Sequence, residues 1–207
     1  MAAAHPQYML NNAKCSVPLE AGYAMMKGPS RMTSEPGVSI SATRAGKPLS
    51  PGDTFEPGET LLLGTTGLSQ GGLAMSVSTG TFTETDASRS TVLPQSIGCS
   101  GTRLSNWIGT HIEGSTDLTT PQTFPWQAPA TCEGALTITC AYAHAFEKTQ
   151  VIPALALNCC PSTTTFEATC GRARRSSVGD CLQCVTGHRE FSSCPTTAMD
   201  GYCSGGH

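Results

Sequence analysis

The run "SVGDCLQCVTGHREFSSC" (177–194) holds the densest set of reactive side chains in the chain: Cys181 and Cys184 in a CxxC spacing, His188 four residues on, then Cys194. Three chemistries suit such a set. Zinc takes four tetrahedral Cys/His ligands, and these four could supply them. A redox dithiol uses CxxC at the start of a helix inside a thioredoxin-like βαβ unit. A third use is purely covalent, with each cysteine closing a disulfide. Haem attachment needs CxxCH, but Val185 follows Cys184.

The surrounding sequence decides among them. Seven cysteines follow residue 158 (159, 160, 170, 181, 184, 194, 203), too many for one zinc site, and no βαβ pattern is present. Disulfides are therefore expected, with His188 an ordinary packed or exposed histidine. Ser177 with Asp180 three residues on is a capping pattern that starts a helix near 178. On that helix Cys181, Cys184, Val185, His188 and Phe191 share one face. Pro195 opens a second short helix that closes near Asp200-Gly201. The expectation for 159–207 is a small disulfide-stapled α-helical hairpin, since so short a segment buries little core of its own.

Composition bounds the rest. Charged residues make up 13% of 207 and the net charge is −3, so no basic face for nucleic acid is available. With 22 Gly and 14 Pro, the chain suits a turn-rich β-protein. The longest apolar run, "VIPALAL" (151–157), is broken by Pro153 and falls short of the ~18 residues of a membrane-spanning helix. Eleven cysteines imply a secreted, extracellular or other oxidising lumenal setting. "MAAAHPQYM" has no signal-peptide pattern, so the chain is expected to start after processing or to be an incomplete reading of its gene. No N-x-S/T sequon occurs; "PSTTTFEAT" (161–169) is a candidate for O-linked sugar.

Residues 35–158 read as short strands between frequent turns. "VSISATR" (38–44) alternates with period two, two Pro-Gly turns precede "TLLLGT", and "GGLAMSVSTGTFTET" (71–85) divides at Thr79-Gly80. "PQTFPWQAP" (121–129) and "GALTITCAYA" (134–143) add further strands. The pattern predicts an all-β antiparallel sandwich over 1–158, followed by the Cys-rich helical tail at 159–207.

The order of "HPQYMLNNAKC" (5–15), "FEPGETLLL" (55–63), "GGLAMSV" (71–77), "CSGTRLSNWIGTHIEG" (99–114), "TFPWQAP" (123–129) and "GALTITCAYA" resembles a reeler (reelin N-terminal-like) domain. The resemblance covers about residues 5–158. It implies an immunoglobulin-like β-sandwich outside the cell, used without catalysis for adhesion, matrix assembly or recognition of microbial and glycan surfaces. It also implies that Cys15 meets Cys99. Cys132, Cys140 and the tail depart from the family pattern.

Cys132 and Cys140 bracket one predicted strand, whose eight steps span ~26 Å. A disulfide tolerates less than ~7 Å between Cα atoms, so these two cannot pair with each other. Both are expected to reach the tail and rivet it to the sandwich. Because eleven is odd, one thiol is free or bonds another chain.

A copper reading is also possible. Cleavage after Ala4 would expose His5 as an N-terminal chelator, and His111 or His144, near Tyr142, would complete the brace of a copper polysaccharide monooxygenase. Against it, Met1 to Ala4 block the amine. No GxSxG, HExxH or Walker loop occurs, and Glu113, Asp117 and Glu133 read as solvated loop acids. Trp126 reads as core; Trp107 and His111 are the candidates for surface recognition.

The expected function is non-catalytic: a structural or adhesion subunit of a larger assembly, with no cofactor. Its partners would be protein subunits, joined by strand addition, by the odd cysteine, or through ordered termini. A glycan or microbial-surface recognition module is the alternative, with the copper enzyme a more distant one.

Overall fold

The computed structural model describes residues 37–68, 71–83, 90–92, 99, 101–108, 123–132, 134–143 and 150–205. Eleven strands occur among them: β1 (Ser39–Arg44), β2 (Lys47–Pro48), β3 (Thr54–Phe55), β4 (Thr60–Thr66), β5 (Gly71–Val77), β6 (Thr81–Phe82), β7 (Ser90–Val92), β8 (Arg103–Ile108), β9 (Thr123–Gln127), β10 (Leu136–Ala143) and β11 (Gln150–Cys159). They form two sheets, in the orders β2-β1-β4-β9-β6 and β3-β11-β10-β5-β8-β7. The antiparallel β-sandwich expected from the strand pattern, followed by a helical tail, is the observed architecture.

Alternation explains why the sheets face each other. On β4, Leu61 and Leu63 are buried while Thr60, Leu62 and Thr66 are exposed. Their β9 neighbours obey the same parity, with Leu61 opposite Trp126 and Leu63 opposite Phe124. From the other sheet come Leu73, Met75, Leu104, Leu136, Ile138 and Leu157, all fully buried. The two inner faces interdigitate as one core, the main source of stability in such a fold.

Two local features shape this core. The Thr79-Gly80 connection carries the chain from β5 in one sheet to β6 in the other. Trp126 donates its indole N–H to the Thr79 carbonyl at 2.9 Å and meets Phe55 edge-on at 5.3 Å. Gly80 sits at φ +67, and a Cβ there would collide with the Trp126 ring. The second feature is a bulge. Ile138 faces Leu155 and Cys140 faces Ile152, so Pro153 and Ala154 together oppose Thr139. Pro153 has no N–H to give a ladder, and the bulge is where a strand interior accommodates it.

One pairing departs from the antiparallel rule: β3 runs parallel to β11, with Thr54 opposite Asn158 and Phe55 opposite Cys159. All other pairs are antiparallel.

The tail contains α1 (Thr163–Ser176), α2 (Val178–Gly187), a 3₁₀ turn (Arg189–Phe191) and α3 (Thr196–Ser204). The two helices expected from the capping signals are α2 and α3, but α2 stops at Gly187, so His188 and Phe191 lie beyond it, and α3 is preceded by Pro195 as its N-cap and runs on to Ser204. Ser177 caps α2, its hydroxyl accepting from the Asp180 amide at 3.0 Å. The tail is nevertheless three helices rather than a hairpin. The helix missed is α1, which begins inside the stretch read as an O-glycan candidate. Three threonines with β-branched side chains argue against a helix start, and only Phe166, Cys170 and Gly171 of α1 are buried. Tertiary packing supplies what propensity does not. Phe166 stacks between Phe191 (4.3 Å) and Tyr202 (5.0 Å), forming a second core with Val185 and the tail cysteines. Among the described residues no helix is long and apolar enough to cross a membrane.

Candidate functional site

The cysteines form four disulfides among the described residues. Cys132 pairs with Cys159, Cys160 with Cys194, Cys170 with Cys184, and Cys181 with Cys203, with Cα separations of 5.4, 4.7, 5.9 and 5.6 Å. Cys99 is also disulfide-bonded, while Cys15 lies outside the described residues. Bonds of this number belong to an oxidising environment.

Two expectations are corrected here. Cys132 does bond a cysteine counted with the tail, Cys159, yet that bond rivets no helix to the sandwich. Cys159 is the last residue of β11, so its bond to Cys132 closes within the sandwich. The other three bonds all close within residues 160–203. Cys140 neither reaches the tail nor offers itself to another chain. It shares the inward parity of Leu136, Ile138 and Tyr142 on β10 and is a fully buried free thiol. Burial pushes its ionisation well above that of an ordinary thiol, because a thiolate there would lack solvation.

The opening motif resolves into covalent staples. Cys181, Cys184 and Cys194 belong to three different disulfides, so their sulfurs are not available together as thiolates. Sγ of Cys170 and Cys184 lie within 4.8 Å of a His188 ring nitrogen, but the two sulfurs are bonded to each other. His188 is half exposed, with Nδ1 4.0 Å from Glu190.

The feature that brings polar side chains together is a cleft between the sandwich and the tail. Its volume is about 530 Å³, and its lining includes Arg44, Thr54, Glu56, Ser162, Thr163, Arg174 and Tyr202. Arg44, the last residue of β1, forms a two-pronged pair with Glu59 and donates to the Thr54 carbonyl at 2.6 Å. The Glu59 hydrogen bond raises the Arg44 pKa further. Across the cleft, Arg174 lies 4.5 Å over the Tyr202 ring and 3.3 Å from Glu167. Tyr202 donates its hydroxyl to the same carboxylate at 2.9 Å, which holds Glu167 below the usual carboxylate range, with Arg174 and Arg175 adding to the effect. Burial, then the Glu167 hydrogen bond, raise the Tyr202 pKa.

Both guanidiniums of this cleft are therefore already ion-paired, although the buried Arg174 Nε has no hydrogen-bond partner. What it offers is hydroxyls, amides and the Glu56 carboxylate, a set suited to hydrogen-bonding a polar ligand. A second hollow of about 240 Å³ adjoins it, lined by Glu56, Pro57, Thr131, Ser162 and Glu190 among others.

Trp107 lies on β8, opposite Gly72 of β5. His5, His111, His144, Glu113, Asp117 and Glu133 lie outside the described residues. Tyr142 is buried in the sandwich, and Trp126 is fully buried core. Sequence reasoning missed Arg44, Arg174 and Tyr202. Arg44 gave a faint signal, as the charged end of an otherwise uncharged alternating strand. Nothing local marks Arg174 and Tyr202 as partners, because they sit on α1 and α3 and meet only through packing.

No family model matches the chain, and no curated protein does. Among solved structures it is similar to the Reelin-N domain of F-spondin (14% identity, TM-score 0.39, over 61% of this chain and 91% of the other). It is also similar to human F-spondin reeler domain fragment 2 (15%, 0.41, 62% and 93%) and fragment 1 (14%, 0.40, 61% and 93%). At these values no function follows from the likeness.

Proposed function

We propose that this chain is a non-catalytic structural or adhesion subunit that works in a secreted, extracellular or lumenal assembly, through the outer face of its β2-β1-β4-β9-β6 sheet. The observation carrying this reading is the chemistry of that face. By the parity of the strands, Thr60, Leu62 and Thr66 share it with Ser41 and Thr43 of β1, Pro125 and Gln127 of β9, and Thr81 of β6. None of these side chains is charged. Leu62 is 38% exposed and sits between Thr43 and Pro125, giving a row with little water to strip away on contact.

The sheet edges favour the face over strand addition. Among the described residues the edge strands β2, β3 and β6 have two residues each, and β2 presents Lys47 and Pro48. Short edges with Lys and Pro discourage pairing. The disulfides support an oxidising compartment, and the reeler resemblance of the sequence agrees with an adhesive role.

The test is the mass of the oxidised chain in solution by light scattering across a concentration series. Self-association that is lost in Leu62→Lys, with thermal unfolding unchanged, is expected. A strictly monomeric chain that also ignores its extracellular-matrix preparation would overturn the reading. A second reading, glycan recognition, is favoured by the hydroxyl-rich cleft at the tail. It predicts that the isolated monomer binds polysaccharide and that Thr163→Ala or Tyr202→Phe weakens that binding.

A further inference from the structure

We infer that residues 172–176 are a processing site for a serine endoprotease of the export route that is specific for basic residues, cut between Arg175 and Ser176 to give two disulfide-linked chains. The inference rests on the oxidising, exported setting and not on the assembly face.

The run Arg172-Ala173-Arg174-Arg175-Ser176 places guanidiniums at the first, second and fourth positions before one bond. Three of the chain's 12 basic residues fall within these four positions, in a protein that otherwise spreads its few charges thinly. Carboxylate-lined pockets in a protease read such a spacing, because a planar guanidinium takes two parallel hydrogen bonds from a carboxylate.

The fold presents the run at an end of an element. Arg174 and Arg175 lie in the last turn of α1, and the next residue past the helix, Ser177, is already extended (φ −162, ψ 161). Terminal turns lack part of their internal hydrogen bonding and fray first. Arg172 and Ser176 are exposed, and the Arg175 side chain is 71% exposed. Arg174 is the guarded residue, held by Glu167 and by the face of Tyr202. The Glu167 carboxylate also accepts from Arg175 at 2.8 Å. Unwinding one turn and releasing this carboxylate gives a protease an extended segment, with Cys170 anchoring the helix just upstream.

Hydrolysis adds the elements of water across the Arg175–Ser176 bond, leaving a carboxylate on Arg175 and an amine on Ser176. Two staples straddle the break: Cys170–Cys184 and Cys160–Cys194. The pieces therefore stay joined. The new carboxylate lies at the C-terminus of α1 and the new ammonium beside the N-terminus of α2, each of the wrong sign for its helix dipole. Cleavage thus loosens both helix ends and frees Arg174 at the wall of the cleft.

The test is digestion of the oxidised full chain with a calcium-dependent secretory convertase that requires R-x-R-R, with trypsin alongside. The expected result is a single species heavier by one water without reductant, two products with reductant, and a new N-terminus at Ser176. Arg172→Ala should abolish the convertase cut but spare the tryptic one. Glu167→Gln should speed the convertase several-fold by releasing Arg174. Resistance of the oxidised chain, with cutting at the same bond only after reduction and alkylation, would overturn the inference. So would convertase cutting indifferent to Arg172→Ala.

Discussion

Cys159 and Cys160 are joined by one peptide bond and stapled in opposite directions, Cys159 back to Cys132 and Cys160 forward to Cys194. The first bond closes the sandwich, and the second opens a series that closes the tail. Among the described residues the covalent link between them is the main chain, supported by Cys160 N–H donating to the Phe55 carbonyl at 2.8 Å. Sandwich and tail are thus separately cross-linked bodies that touch along the cleft.

Removing each staple should therefore affect its own side. Replacing Cys160 and Cys194 by Ala should destabilise the helices by about 2–4 kcal/mol. The sandwich transition, followed by tryptophan fluorescence, should remain in place. Replacing Cys132 and Cys159 should do the reverse, lowering the fluorescence transition while far-ultraviolet helical dichroism persists.

The buried thiol gives a labelling prediction. In the native chain Cys140 should stay unmodified by iodoacetamide, and it should become labelled in denaturant, as peptide mass mapping would show. Labelling in the native state at neutral pH would contradict its placement in the core.

Gly80→Ala should destabilise the sandwich by more than about 1 kcal/mol. It combines a left-handed backbone with a collision against Trp126. Chemical denaturation reads this directly, and Gly46→Ala, which also has a positive φ but meets nothing within 4 Å, should cost less.

The Glu167–Tyr202 pair predicts a pH window for the tail. Glu167 has its folded pKa lowered, so its contribution is present above the unfolded value near 4.5 and is lost as pH falls through the folded one. Tyr202 has its folded pKa raised, so its contribution is complete below about 10 and is lost as pH rises through the folded value. Tail helicity, measured by circular dichroism during thermal melts, should show a plateau between these limits. Glu167→Gln should flatten its acid side.

Much of this fold is written locally. Period-two runs such as "VSISATR" and "GALTITCAYA" specify strands because a buried face must be apolar at alternate positions. Ser177 with Asp180 specifies the start of α2 because an amide at a helix N-terminus needs an acceptor. The odd number of cysteines in the chain carries no pointer to Cys140, whose isolation follows from its parity on β10.

By itself the sequence determined a β-sandwich, an oxidising environment, and a cysteine-rich helical end, since alternation, turn residues and thiol count are properties of single segments. Only the tertiary structure decided that α1 exists, that among the described residues no disulfide ties the three helices to the sandwich, and that Arg174 meets Tyr202. The physical reason is shared. A disulfide needs its two Cα atoms within about 7 Å, and a helix of poor propensity needs a core to lie on. Both conditions depend on where distant segments come to rest, and no local pattern encodes that.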